Sequence, residues 1–221
     1  MPAIRYSGVP IPYCSEVRNL GLILDCNMSW APHINAISKR MHFSFHSLRR
    51  LQYFLPHKTK VMLAQCLLLP ILDYADVCYL DATEELLNKL ERLQNLAIRF
   101  IYGLRKYDHV SQFRTQLKWL PIRLRRDMHI LTLLFKILNY TNFPTYLRSR
   151  FNVLPPPSRS RRSCVVPALD IPMSNTKFLQ NSFSVYAASL WNQLPNSIQR
   201  TSSLKSFKFQ LKNHLLATEN N

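Results

Sequence analysis

From Ile34 onward the apolar residues of this chain return every three or four positions, a period that fits packed helices and little else. Ile34, Ile37, Met41, Phe45, Leu48 and Leu51 form one stripe, predicting a helix from Ala31 to about Tyr53 with Lys39, Arg40, Arg49 and Arg50 standing off it. Leu55-Pro56 ends that helix, because a proline disfavours helical backbone in the residue before it. A second helix is expected from about Lys58 to Tyr79; it is apolar nearly all round, which calls for burial, and Pro70 should kink it. Thr83-Glu84-Glu85 supplies a capping hydroxyl and first-turn acids to a third helix, with the stripe Leu86, Leu90, Leu93, Ala97 and Ile101, stopped by Gly103. Pro121 opens a fourth that reaches about Asn139, with the stripe Leu124, Met128, Leu131, Phe135 and Leu138. Pro144–Phe151 adds a short helix, and Phe178–Trp191 and Ser203–Leu216 add two longer ones. Before Ala31 the period is nearer two: Ile4–Tyr6 and Val9–Ile11 flank Ser7-Gly8, a hairpin-turn signal, and Val17–Leu24 is a third apolar run.

The expected fold class is therefore mainly α. An amino-terminal β-hairpin region (1–29) precedes a three-helix bundle (30–103) and a basic helical region (104–151). A proline- and arginine-rich linker (152–163) then leads to a carboxy-terminal helical extension (164–221). Three glycines against fourteen prolines argue against a glycine-rich nucleotide-binding scaffold, and 47% apolar with 11% aromatic residues argues against global disorder. The five cysteines, Cys14, Cys26, Cys66, Cys78 and Cys164, are spaced too widely for a zinc half-site and suggest no disulfide framework. A reduced, intracellular chain is expected, cytoplasmic or nuclear. The opening MPAIRYSG lacks a signal core, and the most apolar run, Val61–Leu72, is shorter than the roughly 20 residues of a membrane span. No membrane association is expected.

Charge narrows the class of partner. The formal charge is +17, and residues 104–163 alone carry 13 basic against 2 acidic groups, or +11. Such an excess favours polyanions, because each neutralised phosphate releases a counterion. Within the tract, cations alternate with Tyr107, Trp119, Phe135 and Tyr146, the mixture that lets phosphates and base faces be contacted together. The candidate nucleic-acid-binding residues are Arg105, Lys106, Arg114, Lys118, Arg123, Arg125 and Arg126, with Arg159, Arg161 and Arg162 in the linker. The competing reading is an amphipathic core whose basic face is merely solvated; the scarcity of acids in this third favours nucleic acid.

No catalytic residue, metal ligand or cofactor is assigned. Asp73-Tyr74-Ala75-Asp76 lacks the second adjacent carboxylate that a two-metal site requires, and its surroundings are those of a buried helix end. His42 and His46 have zinc-compatible spacing without a glutamate between them or a further ligand in the helix. No serine sits in a nucleophile elbow.

Several short segments, in order along nearly the whole chain, resemble the carboxy-terminal part of jockey-like LINE reverse transcriptases, the RNA-directed DNA polymerases of non-LTR retrotransposons. They include Val17-Arg-Asn-Leu-Gly-Leu-Ile-Leu-Asp25, Met28-Ser-Trp30 with His33-Ile34, Arg105-Lys-Tyr-Asp-His-Val110 and Leu117-Lys-Trp-Leu-Pro-Ile-Arg123. Ser158-Arg-Ser-Arg161, Phe183-Ser-Val-Tyr-Ala187, Leu190-Trp-Asn-Gln-Leu-Pro195 and Ser203-Leu-Lys-Ser-Phe207 continue the series. The resemblance implies a palm-end hairpin remnant, a thumb-like bundle that holds an RNA and DNA template–primer duplex, and a carboxy-terminal extension. It places the catalytic aspartates before Met1, so the chain is expected not to be an enzyme on its own. Tyr74-Ala75-Asp76-Val77 departs from the family's Tyr-x-Asp-Asp and falls within the thumb. The alternatives are a non-catalytic module that binds a protein partner through the exposed palm-remnant surface, and a truncated element without function.

Overall fold

Two antiparallel hairpins begin the computed structural model, which describes residues 4–154 and 168–219. β1 (Arg5–Tyr6) pairs with β2 (Val9–Pro10), and β3 (Glu16–Asn19) pairs with β4 (Leu22–Asp25) in the register Glu16↔Asp25 to Asn19↔Leu22. Both turns have positive φ at both central residues, 49° and 81° at Ser7-Gly8 and 46° and 85° at Leu20-Gly21. That geometry matches the right-handed twist of the strands. The third apolar run, Val17–Leu24, is thus folded back on itself at Leu20-Gly21. Gly21 is needed for more than its φ: a Cβ there would approach the Tyr74 ring to 3.2 Å, and the Tyr74 hydroxyl donates to the Leu20 carbonyl at 2.6 Å. Leu22 and Leu24 pack on the helices, while β1, β2 and β3 are exposed.

The expected bundle follows. α1 (Ala31–Arg49) ends before Tyr53, loosening into turns in which the Leu51, Gln52 and Phe54 amides bond three residues back. α2 (His57–Leu63) and α3 (Leu69–Asp73) are joined by a wide turn over Ala64–Leu68, where the Leu69 amide reaches the Ala64 carbonyl five residues away. The expected Pro70 kink takes this form because an extra residue in the turn gives room to a ring that would otherwise clash with a carbonyl. Tyr74 then leaves the helix to reach Leu20, Ala75 adopts a left-handed φ of 53°, and Asp76–Cys78 form one tight turn. The second helix therefore stops at Asp73, short of the expected Tyr79. In length and composition His57–Cys78 would suffice to cross a membrane. Here Leu68, Leu69 and Leu72 from this stretch are buried in the bundle core.

α4 (Glu84–Tyr102) has the expected ends: Thr83 Oγ1 accepts from the Leu86 amide at 3.5 Å, and Gly103 turns out of the helix at φ 69°. α1 and α4 run in the same direction, since Lys89 donates to Asn35 near their starts and Phe45 meets Phe100 edge-to-face at 6.3 Å near their ends. Ile34, Met41, Leu68, Leu90, Ala97 and Ile101 fill the space between them and the α2–α3 return.

The remaining helices are α5 (Ser111–Gln116), α6 (Ile122–Asn139), α7 (Thr145–Arg148), α8 (Lys177–Gln180), α9 (Phe183–Gln193), α10 (Asn196–Gln199) and α11 (Leu204–Glu219). With 60% helix and 7% strand the fold is mainly α, as the periodicity requires. Residues 104–151 do not pack as a unit of their own. α6 touches the first core through Ile122, and its Ile130, Leu131, Leu134 and Phe135 form a second core with Ala187, Ala188, Trp191 and Phe207. Phe135 stacks on Phe207 at 4.3 Å, and Phe207 lies 5.9 Å from Trp191. The ends flanking the proline-rich segment are tied, with Val153 bridging Leu169 and the Asp170 amide donating to the Asn152 carbonyl at 2.8 Å. Arg159, Arg161, Arg162 and Cys164 lie outside the described residues.

Phe207 is fully buried between α6 and α9, so Phe207→Ala should lower the unfolding free energy by about 3–5 kcal/mol. Urea denaturation read by the fluorescence of neighbouring Trp191 checks this; a loss below about 1 kcal/mol would contradict a shared second core.

Candidate nucleic-acid interface

The arginines picked out by charge and spacing have unequal surroundings. Arg114 is held between Glu91 and Glu219 at 3.0 and 2.8 Å. Arg123, on the solvent side, grips both oxygens of Glu84 and reaches Asn88. That pairing holds the Glu84 carboxyl below its ordinary range. Arg125 forms a two-pronged bond to Asp73. Arg126 is only 6% exposed; its guanidinium donates to the carbonyls of Asp76 and Tyr79 and stacks 5.0 Å from the centre of the Tyr79 ring. These four are structural ties between α6 or α5 and the bundle. Lys118 is exposed in a left-handed conformation at φ 51°. Arg105 and Lys106 are exposed as well and line a groove at the ends of α1 and α4, whereas Arg123 and Arg126 border a separate pocket that also contains Glu84, Asp127 and Tyr186.

The two acids of the Asp73–Asp76 segment belong to the same joint. Asp73 is the last residue of α3, and Asp76 is 3% exposed with its carboxylate 2.6 Å from His129 Nδ1. Burial pushes the Asp76 carboxyl above its ordinary value, and the His129 hydrogen bond opposes that rise. Asp73, Asp76 and His129 bring their ligand atoms within 4.8 Å of one another, a spacing that a cation could share. Both oxygens of Asp73 already lie in the fork of Arg125, and Arg126 is adjacent, so the neighbouring charges oppose a cation there. His42 and His46 are exposed on α1.

The groove lies where α1 and α4 end side by side. Its floor is apolar, made by Phe45, Leu96, Phe100 and Leu104, and its volume is about 540 Å³. Arg49, Gln52 and Tyr53 form one wall; Arg99, Gly103, Arg105 and Lys106 form the other. Gly103 lets the chain turn sharply, and Arg99 fixes the next loop by donating from Nε to the Arg105 carbonyl and from a terminal nitrogen to the Asp108 carbonyl. Asp108 caps the Arg105 amide at 2.7 Å, and Lys106 stands 5.3 Å over the Tyr107 ring. The rim is thus built and held, with four cations against one carboxylate. Arg49, Gln52, Tyr53 and Arg99 were not among the candidates. Arg49 stood off its helical stripe, but nothing local showed that it would face residues fifty positions later. A second cavity, about 440 Å³ between the cores, is lined by Trp30, Val77, Leu133, Ile137 and Phe183, and its Asp81 is already bonded to Trp30 Nε1 at 2.6 Å.

Arg126→Ala should cost about 3–5 kcal/mol in urea unfolding, since it strips two buried carbonyls of their donor, whereas exposed Arg123→Ala should cost at most about 1 kcal/mol. His129→Ala leaves a buried carboxylate uncompensated and should cost about 3–5 kcal/mol near neutral pH. Asp76 in the folded state holds its proton more tightly than at the ordinary value of 3.8, so this variant should regain stability as pH falls toward that value. A pH-independent loss in denaturation series from pH 7 to 4 would contradict the assignment.

No family model, curated protein or solved structure matches the chain.

Proposed function

We propose that the chain binds template–primer nucleic acid as the carboxy-terminal part of a non-LTR retrotransposon reverse transcriptase and does not itself carry the polymerase's metal-binding carboxylates. The observation that carries this reading is the preorganised basic groove at the ends of α1 and α4, where Arg49, Arg99, Arg105 and Lys106 surround an apolar floor. Cations on its walls suit phosphates, and an apolar bed suits bases. The hairpins followed by a bundle of α1, α2–α3 and α4 agree in order with the palm-end and thumb arrangement that the sequence resemblance implies. Asp73 and Asp76 flank a helix end, with Asp73 paired to Arg125 and Asp76 hydrogen-bonded to His129, an arrangement unlike a catalytic strand–turn–strand.

A second reading has its own observation. Ile4, Tyr6, Val9, Ile11, Val17 and Leu20 on the hairpins are at least half exposed, an apolar surface of the kind that docks protein. On this reading the chain is a non-catalytic interaction module.

An RNA–DNA hybrid carrying an unpaired RNA extension should bind the purified chain with a negative log–log salt slope of about −2 to −4, as a few released counterions require. The Arg105→Glu, Lys106→Glu double variant should flatten that slope by about 2, and Arg123→Ala should leave it unchanged. Weak binding without salt dependence would defeat the reading, as would template-dependent nucleotide incorporation by this chain alone with Mg²⁺.

A further inference from the structure

We propose that the α1–α4 groove is a single-strand site: it takes an unpaired nucleotide, with the base against aromatic side chains and the flanking phosphates on the basic rim. The inference rests on the nucleic-acid reading above and specifies which part of the ligand this groove holds.

Three features separate this groove from a surface that merely attracts a duplex. The first is its shape. A concavity of about 540 Å³ with Phe45, Leu96 and Leu104 beneath it is within the range of small-ligand sites and offers apolar contact at its floor. A duplex rod presents phosphates and groove edges to a protein, and hides both faces of every base except at its ends. Its charges would meet the rim and leave the floor in contact with water.

The second is the placing of aromatic rings. Tyr53 lines the groove and is 92% exposed; Tyr107, next in the chain to the lining residue Lys106 and with that ammonium 5.3 Å from its ring centre, is 85% exposed. Phenol rings so exposed cannot be core residues, and each offers a flat face to a base. Stacking of this kind needs an unpaired base and tolerates any sequence, because every base has a π face.

The third is preorganisation. Arg99 and Asp108 hold the loop that carries Arg105, Lys106 and Tyr107 through bonds to the Arg105 and Asp108 carbonyls and the Arg105 amide. The backbone that carries these side chains is therefore already held, so less ordering cost falls on binding.

The test uses the full chain and three probes of the same sequence: a single-stranded RNA of about 12 nucleotides, a blunt RNA–DNA hybrid, and the hybrid with an unpaired RNA extension. Anisotropy titrations should rank the single strand and the extended hybrid at least about fivefold tighter than the blunt hybrid. Tyr53→Ala and Tyr107→Ala should each weaken the two probes with unpaired bases by about 5- to 150-fold, and Tyr53→Phe should retain affinity. The blunt hybrid's affinity and the salt slopes should stay the same in these variants, since no charge is removed. A 2-aminopurine in the unpaired segment should lose fluorescence on binding to the wild type and regain it with Tyr53→Ala. Both tyrosines are exposed, so the variants should keep the wild-type unfolding curve. Equal affinity for blunt and extended hybrids, or indifference to the tyrosine variants, would overturn the single-strand site and leave nucleic-acid binding standing. Failure of all three probes to bind would remove both.

Discussion

The buried guanidinium of Arg126 ties the two cores of this molecule together. A cation taken out of water demands acceptors, and the segment after α3 supplies them because its backbone has left the helix. With Ala75 in a left-handed conformation and a single tight turn over Asp76–Cys78, the carbonyls of Asp76 and Tyr79 turn toward α6. The Tyr79 ring, itself buried with its hydroxyl on the Leu72 carbonyl, forms the other side of the guanidinium site. Arg125 on Asp73 and His129 on Asp76 add contacts from the same stretch of α6. If this joint were loosened, α6 would keep its apolar contacts with α9 and α11 but lose its registration against the bundle.

That joint also determines where the positive field appears. Most of the acidic side chains are already engaged by partners of the fold: Asp73, Asp76, Glu84, Glu91 and Glu219 face arginine or histidine, Asp81 accepts from Trp30, and Asp127 accepts from Tyr186 at 2.9 Å. Among the described residues, the density of basic residues in this tract therefore does not translate into one basic face. Arg114, Arg123 and Arg125 are paired with carboxylates and Arg126 is buried on carbonyls, while Arg105 and Lys106 meet Arg49 and Arg99 at the far end of the bundle.

Local chemistry was legible where one residue type forces one geometry. Thr83 before two acids, Gly103 after the last stripe residue and Pro121 ahead of Ile122 fixed helix ends, and Ser7-Gly8 fixed a hairpin. Leu20-Gly21 was less legible, since a leucine at φ 46° is an unusual turn residue and its conformation is supported by Tyr74 from a distant helix. The stripe read on α6 was too narrow, because helices cover it from more than one side and bury Ile130, Leu134 and Ile137 in addition. Arg123, Arg125 and Arg126 look alike in sequence; a rotation of one to three positions around the helix decides which meets water, which meets Asp73 and which is buried under Tyr79. The groove was invisible for a related reason, since its walls come from residues 49–53 and 99–106 and exist only because α1 and α4 are parallel.

Parallel helix ends also bear on what the basic groove is for. Carbonyl ends of helices favour cations, so Arg49 and Arg99 would be stabilising in their last turns with no ligand at all. The same argument does not extend to Lys106 and Tyr107, which lie beyond α4 in a loop fastened by Arg99 and Asp108, nor to Tyr53 beyond α1. Helix-end electrostatics falls off within a turn and has no use for an exposed aromatic ring. A cation held over a tyrosine face beside one wall, a second tyrosine in the other wall and apolar side chains between the walls invite a further account. A stacked base beside a phosphate supplies one, satisfying the rings and the charges with a single ligand.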